Sequence, residues 1–262
     1  MRTRTAEPFI GTATVRREAA GRGFRIREIA YAPCQRQPLH AHDFDGITLV
    51  IGGAIRETVG RHEEIATCLS IVVKPAGVVH ADDVGPRGAR TVQILLDSEV
   101  EGLGPWRWMH AGAGVSGFLA LRRLLSADGE EGLEDRVLDL LGEVTSTAAT
   151  ARSDPPGWLQ NVKEALDDTL SANPPVRDLA READVHPVSL ARAFRRHYGT
   201  TVTEYRRRQR VRRAARAIER SDCHLTRIAY ATGFSDHSHM CREVRAATGL
   251  TPTELQELAR PS

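Results

Sequence analysis

The chain has 262 residues, about two domains' worth. Its formal net charge is +2, and arginine supplies 34 of its 36 basic side chains, Lys74 and Lys163 being the only lysines. No run reaches the ~18 consecutive apolar residues that span a membrane. The opening MRTRTAEPFIG lacks the apolar stretch of a secretory signal. Cys34, Cys68, Cys223 and Cys241 are scattered without CxxC spacing, so a cytoplasmic chain with reduced thiols is expected.

From about Phe24 to Leu96 short β-type runs alternate with Gly and Pro: FRIREIAYA, GITLVIGGAIRETV, CLSIVVKPAG and ARTVQILLD. Turn residues recurring at this spacing predict a small antiparallel barrel or sandwich. Within it lie His40-Ala41-His42, followed by a strand predicted to end at Gly52-Gly53, and Pro75-Ala76-Gly77-Val78-Val79-His80. These two stretches together resemble the two motifs of a cupin barrel. The resemblance places His40, His42 and His80 at three of the cupin metal-ligand positions. Imidazoles so grouped hold Zn, Fe, Ni or Cu. The position of the cupin glutamate is Gly46 here. Asp45 is its neighbour, facing the other way unless a bulge turns it. Asp82, two residues past His80, shares the face of His80 and is the candidate substitute ligand. Two readings stand: a site for a divalent transition metal, or a metal-free pocket for an organic ligand in which these histidines are inherited features.

Next come two helical stretches, Val115 to Ser126 and Glu134 to Thr147, with Leu and Val near 3.6-residue spacing. The pair either forms a dimer interface or packs against its own barrel. The segment 150–157, ending Pro-Pro-Gly, reads as a linker.

The last third repeats one pattern twice. VRDLAREADVHPVSLARAFRRHYG runs from Val176 to Gly199, and LTRIAYATGFSDHSHMCREVRAATG from Leu225 to Gly249. Each reads as a short helix, a tight turn and a second helix with a polar, basic outer face. In the first unit Leu179, Ala180 and Ala183 share one face, Asp184 sits at the turn, His186-Pro187 restarts the chain, and Leu190 and Phe194 point inward. In the second, Ile228 and Ala229 form the inner face and Gly233 provides the turn. Ser235 or Asp236 caps the next helix, and Met240 and Val244 point inward. A helix from about Val202 to Arg220, dense in arginine, connects the units.

From about Trp158 to Leu255 the chain resembles the DNA-binding domain of AraC-family transcription regulators. The residues that carry this are Ala180, Leu190, Phe194, Gly199, Tyr205, Ala215, Ile228-Ala229, Gly233-Phe234-Ser235-Asp236, Ser238-His239, Arg242, Gly249 and Thr251-Pro252. Met240 and Val244 stand where the family usually has large aromatics. In one branch of that family a cupin barrel is the sensor and a helical pair the dimer interface.

The resemblance implies an α+β multidomain chain: a cupin-like β-barrel over 1–100, a helical connector over 101–149, a linker over 150–157, and an all-α domain with two helix-turn-helix motifs over 158–262. The DNA-reading candidates are Val188, Ala191, Arg192, Arg195 and Arg196 in the first unit and His237, Ser238, Cys241, Arg242 and Arg245 in the second. Charge agrees. From Gly157 onward 18 basic residues meet 13 acidic ones, against 18 and 21 before it. In the run Arg206, Arg207, Arg208, Arg210, Arg212, Arg213 and Arg216, some side chains are expected on phosphate, the alternative being a solvated helix face. The expected partners are double-stranded DNA, RNA polymerase, a small-molecule or metal effector and a second copy of the chain, and no membrane. The expected function is a one-component transcription regulator, activator or repressor, without catalytic residues. The alternative is a metal-dependent cupin enzyme, of dioxygenase or isomerase type, fused to a DNA-binding module.

Overall fold

The computed structural model describes residues 13–97, 100, 103–110, 114–126, 132–148, 155–168, 174–220 and 223–259. The strands are β1 (Ala13–Gly21), β2 (Phe24–Tyr31), β3 (Arg36–His40), β4 (Asp45–Val59), β5 (His62–Thr67), β6 (Ser70–Lys74), β7 (His80–Leu96) and β8 (Arg107–His110). They form one antiparallel sheet in the order β1-β2-β7-β4-β6-β8, with β3 on β7 and β5 on β4.

Two long strands carry this sheet through a bend. The first half of β4 pairs with β6 and its second half with β5. Likewise β7 pairs first with β3 and then with β2. Between the halves the β4–β7 ladder is interrupted at Val50/Gly52 and Gly53/Ile55. Such bulges bend a strand without ending it. Gly53 has φ +72°, and a Cβ there would lie 2.0 Å from the Gly88 carbonyl oxygen. The glycine pair expected to end a strand is therefore the corner of a longer one. The core of the sheet is Ile26, Ile47, Leu49, Ile51, Ile71, Val73, Val92 and Ile94, all fully buried.

Two strands were not legible in the sequence. β1 is exposed along most of its length and shows no apolar alternation. β8 is a four-residue strand, half-buried throughout, that pairs with β6. It extends the sheet into the segment expected to be a helical connector.

The helices α1 (Val115–Ser126) and α2 (Leu133–Ala148) follow. Phe118, Leu121, Val137, Leu140 and Val144 are buried in one core with the sheet residues. Arg107 of β8 donates to the Val144 carbonyl at 2.8 Å, fixing α2 to the sheet edge. Of the linker segment, only Pro155, Pro156 and Gly157 are among the described residues.

The remaining helices are α3 (Gly157–Asp168), α4 (Val176–Glu182), α5 (Pro187–Tyr198), α6 (Val202–Arg220), α7 (Leu225–Ala231), α8 (His237–Thr248) and α9 (Pro252–Ala259). They divide between two cores. Leu159, Val162 and Leu166 of α3, Leu179 and Ala180 of α4, Leu190 and Phe194 of α5, and Val202 close one core by themselves. The end of α6, with α7, α8 and α9, joins the core that contains the sheet, α1 and α2. No helix among the described residues is long and apolar enough to cross a membrane.

Candidate nucleic-acid interface and metal centre

The two helix-turn-helix units are built alike. Asp184 has φ +52° at the first turn, and Val185 N–H donates back to the Ala180 carbonyl at 2.9 Å. Gly233 has φ +85° at the second, and Phe234 N–H donates to the Ala229 carbonyl at 3.0 Å. Asp and Gly are residue types that tolerate this left-handed conformation. Asp236 caps α8, its carboxylate accepting from His239 N–H at 2.7 Å, while α5 starts with His186 as cap and Pro187 in its first turn. Gly199 and Gly249 end α5 and α8 in the left-handed conformation. Leu190, Phe194, Met240 and Val244 are fully buried. In the second unit Phe234 is also buried and meets His239 edge-on at 5.3 Å.

The outer faces are left to solvent. Val188, Ala191, Arg192, Arg195 and Arg196 of α5 are all exposed, as are Ser238, Arg242 and Arg245 of α8. His237 and Cys241 are half-buried, and Cys241 Sγ lies 3.4 Å from His237 Nε2. The five arginines on these faces make no salt bridge with another described residue. Unpaired guanidinium groups on an exposed helix face suit phosphate oxygens and guanine edges.

The arginine run of α6 behaves differently. Arg206 donates to the Pro174 carbonyl and Arg213 to the Asp167 carbonyl. Arg207 pairs with Glu243 at 2.9 Å and Arg208 with Glu204 at 3.0 Å. Arg210 donates to the Gly233 carbonyl and lies over the Phe234 ring, and Arg212 donates to the Ile65 carbonyl. Most of the run thus ties the connecting helix to its neighbours, while Arg208 pairs with Glu204 within the helix itself. No sequence signal separates such struts from DNA contacts, because the partners are mostly backbone carbonyls.

In the sheet domain the three histidines come together. Their potential ligand atoms all lie within 4.8 Å of one another. His40 ends β3, His42 lies in the loop after it, and His80 begins β7; the His40 and His80 ring centres are 4.1 Å apart. His40 Nδ1 lies 2.8 Å from the Pro38 carbonyl oxygen, and His80 Nδ1 lies 3.0 Å from that of Val78. A carbonyl only accepts, so each Nδ1 carries the proton and each Nε2 keeps its lone pair. Both Nε2 atoms are buried without a hydrogen-bond partner. Burial, and then the nearby Lys74 ammonium, push His42 down to about 3 and His80 down to about 4, which keeps both imidazoles neutral. Neutral imidazoles with oriented, unused lone pairs are what a metal ion requires.

The carboxylates separate. Asp82 Oδ2 lies 3.9 Å from His80 Nε2, and its Oδ1 is buried without a partner. Asp45 is occupied elsewhere, accepting from Ala76 N–H and Val100 N–H at 2.8 Å each. Gly46 lines the interior cavity beside His42.

Sequence reasoning missed the surroundings of this cluster. Lys74 Nζ pairs with Glu57 at 2.6 Å and lies 3.6 Å from Asp82, both carboxylates being almost fully buried. Burial alone would lower the Lys74 pKa, but Asp82 and Glu57 outweigh it and raise it. Trp106 stands 4.4 Å from the His80 ring and 5.0 Å from Lys74 Nζ. The one available signal was Lys74 itself, a lysine in an arginine-rich chain at the end of the apolar run SIVV.

Residues 179–257 match the family model described as a helix-turn-helix domain. The chain is 38% identical over 78 residues to the HTH-type transcriptional regulator GlxA of Rhizobium meliloti, covering 30% of this chain and 24% of GlxA. It is 33% identical over 103 residues to the HTH-type transcriptional activator RhaS of Pectobacterium atrosepticum, covering 39% of this chain and 34% of RhaS. The chain thus spans between a quarter and a third of the length of these relatives. Among solved structures, ToxT of Vibrio cholerae aligns over 91% of this chain and 100% of its own, at 10% identity and a TM-score of 0.42. The C-terminal third of the chain is an AraC-type domain with two helix-turn-helix motifs.

Proposed function

We propose that the protein is a one-component, sequence-specific transcription regulator of the cytoplasm, in which the sheet domain senses a ligand and the two helix-turn-helix units bind double-stranded DNA. The observation that carries this is the pair of outward helix faces, α5 and α8, whose arginines are exposed and unpaired while most of the arginines between them are engaged within the fold. The matched helix-turn-helix segment supports it. Each reading helix belongs to its own turn unit on one connecting helix, so one chain reads two successive major-groove segments, about one turn (~34 Å) apart. A second copy of the chain docks through α2, where Leu138 is 65% exposed, and RNA polymerase is contacted where the regulator activates.

The effector in this reading is a divalent transition metal held by His40, His42 and His80, with Asp82 beside them. Support comes from the two unpartnered Nε2 atoms and from the adjoining interior cavity, ≈ 30 Å³, room for an ion or a water rather than a bulky molecule. A bound metal would supply the differential stability between two arrangements of sheet domain and DNA-binding domain that ligand control needs.

The test is selection of bound sequences from a random duplex pool by the full chain, followed by footprinting. A bipartite protected site without internal palindrome is expected. Protection of a single groove segment would count against two-helix reading, and recovery of no enriched sequence would sink the proposal.

A further inference from the structure

Eight arginines lie on α6 between residues 206 and 220. Six of them are engaged as described above. Arg216 and Arg220, one turn apart, have no ion pair with a described residue. Between them Glu219 is already committed, accepting from Gly53 N–H at 2.7 Å and pairing with Arg87 at 3.1 Å. This brings the end of α6 against the corner of the sheet. There the sheet domain presents Arg36 of β3 and Arg56 of β4, and the four arginines, with Asp83, line a cleft of ≈ 380 Å³. That volume lies within the range of small-molecule sites.

Charge in this cleft is poorly matched. Arg36 meets Asp83 at 3.4 Å and Arg56 meets Glu63 at 3.4 Å, all four side chains between 46% and 84% exposed. Such solvated pairs are worth little and exchange readily for a better partner. Burial, and then the Arg220 charge, lower the Arg216 pKa, which marks a guanidinium crowded by like charge. Guanidinium forks match phosphate and carboxylate oxygens bidentately. A single negative charge satisfies one wall of the cleft, whereas two or more satisfy both.

We propose that this cleft binds a small polyanion, a metabolite with two or more negative charges on phosphate or carboxylate groups, which bridges Arg36 and Arg56 of the sheet domain to Arg216 and Arg220 of the connecting helix. The occupant proposed is a small molecule matched to a cleft of this volume, and contact with the DNA backbone is an outcome that the test separates. The site is separate from the histidine cluster, and its occupation does not depend on the regulator reading. Only its consequence does: a bridging anion would hold α6, the helix between the two DNA-reading units, against the sheet.

The experiment is calorimetric titration of metal-free full-length protein at constant ionic strength with pyrophosphate and, separately, with citrate. The two probes distinguish a phosphate from a carboxylate ligand. Saturable binding of at least one probe is expected. It should fall at least tenfold in Arg216→Gln/Arg220→Gln and also in Arg36→Gln/Arg56→Gln. The charge-matched control Arg16→Gln/Arg61→Gln, both exposed and outside the cleft, should titrate like the wild type. Binding of neither probe overturns the proposal, as does equal loss in the control. Loss in only one of the two cleft variants overturns the bridging. Weakened binding to random-sequence duplex by the cleft variants, with neither probe bound, would make these arginines DNA-backbone contacts instead.

Discussion

The Glu219 carboxylate accepts a hydrogen bond at 2.7 Å from the backbone N–H of Gly53, 166 residues earlier in the chain. It joins the last turn of α6 to the corner where β4 and β7 bend. The Glu219 side chain is only 6% exposed, so the contact is made largely out of water. Truncating it as Glu219→Ala leaves a buried N–H without a partner, which costs about 1–3 kcal/mol. The expected result is a lower unfolding midpoint and faster amide exchange at the end of α6. An unchanged midpoint and unchanged exchange would show that the two domains do not meet this way in solution.

On the proposed reading face of α5 few side chains can carry specificity, because Val188 and Ala191 offer only apolar contact. Arg192→Ala and Arg242→Ala should each cost ~1–3 kcal/mol on the selected site and relax preference at one position. Arg208→Ala, which removes an i,i+4 pair with Glu204 within α6, should leave sequence preference intact. Binding measured over a panel of single-base variants checks this. Uniform weakening across the panel by Arg192→Ala would make Arg192 a phosphate contact.

The helical half was legible because its signals are local. Asp184, Gly233, Asp236 and Pro187 each fix one turn or cap by their own chemistry, and the 3.6-residue spacing of Leu190/Phe194 and Met240/Val244 sets the buried faces. The bounds of α1 match those expected from its 3.6-residue spacing, and those of α6 match the arginine-rich stretch between the units. The sheet was legible only where strands are half-apolar. β1 and β8 bury too little to show alternation, and the continuation of β4 past Gly53 depends on the distant Gly88 carbonyl. The role of the α6 arginines was illegible for the same reason, since their partners are set by tertiary folding.

Stability in acid should depend on Glu28. Its side chain is 1% exposed and is paired with Arg17, Arg90 and Arg122 at 3.0 to 3.1 Å. Burial pushes its pKa up, but the Arg122 and Arg90 guanidinium groups, Arg122 foremost, outweigh this and hold it below 4.5. A carboxyl whose folded pKa is depressed stabilises the fold above its unfolded pKa, and that stabilisation is lost as pH falls through the folded value. Denaturant unfolding of the wild type should therefore weaken as pH drops below 4.5, the ordinary carboxyl value. Glu28→Gln should be less stable at neutral pH by about 3 kcal/mol, having left buried charge unpaired, and should show a flatter acid profile. Parallel pH profiles for the two proteins would remove Glu28 as the cause.

The histidine cluster makes the most direct prediction about the sensor. The Pro38 and Val78 carbonyls fix the tautomers of His40 and His80, so that both Nε2 lone pairs are available to one ion. An all-imidazole set discriminates weakly among first-row metals, and affinity should rise from Co2+ through Ni2+ to Cu2+. His80→Ala and His40→Ala should each abolish tight uptake of one ion per chain. Asp82→Asn should weaken it if Asp82, whose Oδ2 lies 3.9 Å from His80 Nε2, contributes a carboxylate oxygen to the ion. The Trp106 ring lies 4.4 Å from the His80 ring, tilted by 48°, so bound Cu2+ should quench indole fluorescence in the wild type and not in His80→Ala. Calorimetry with each metal and the fluorescence titration give independent readouts. Uptake that leaves the affinity for the selected DNA site unchanged would make the ion structural, and no uptake by any of the three metals would overturn a metal as the effector.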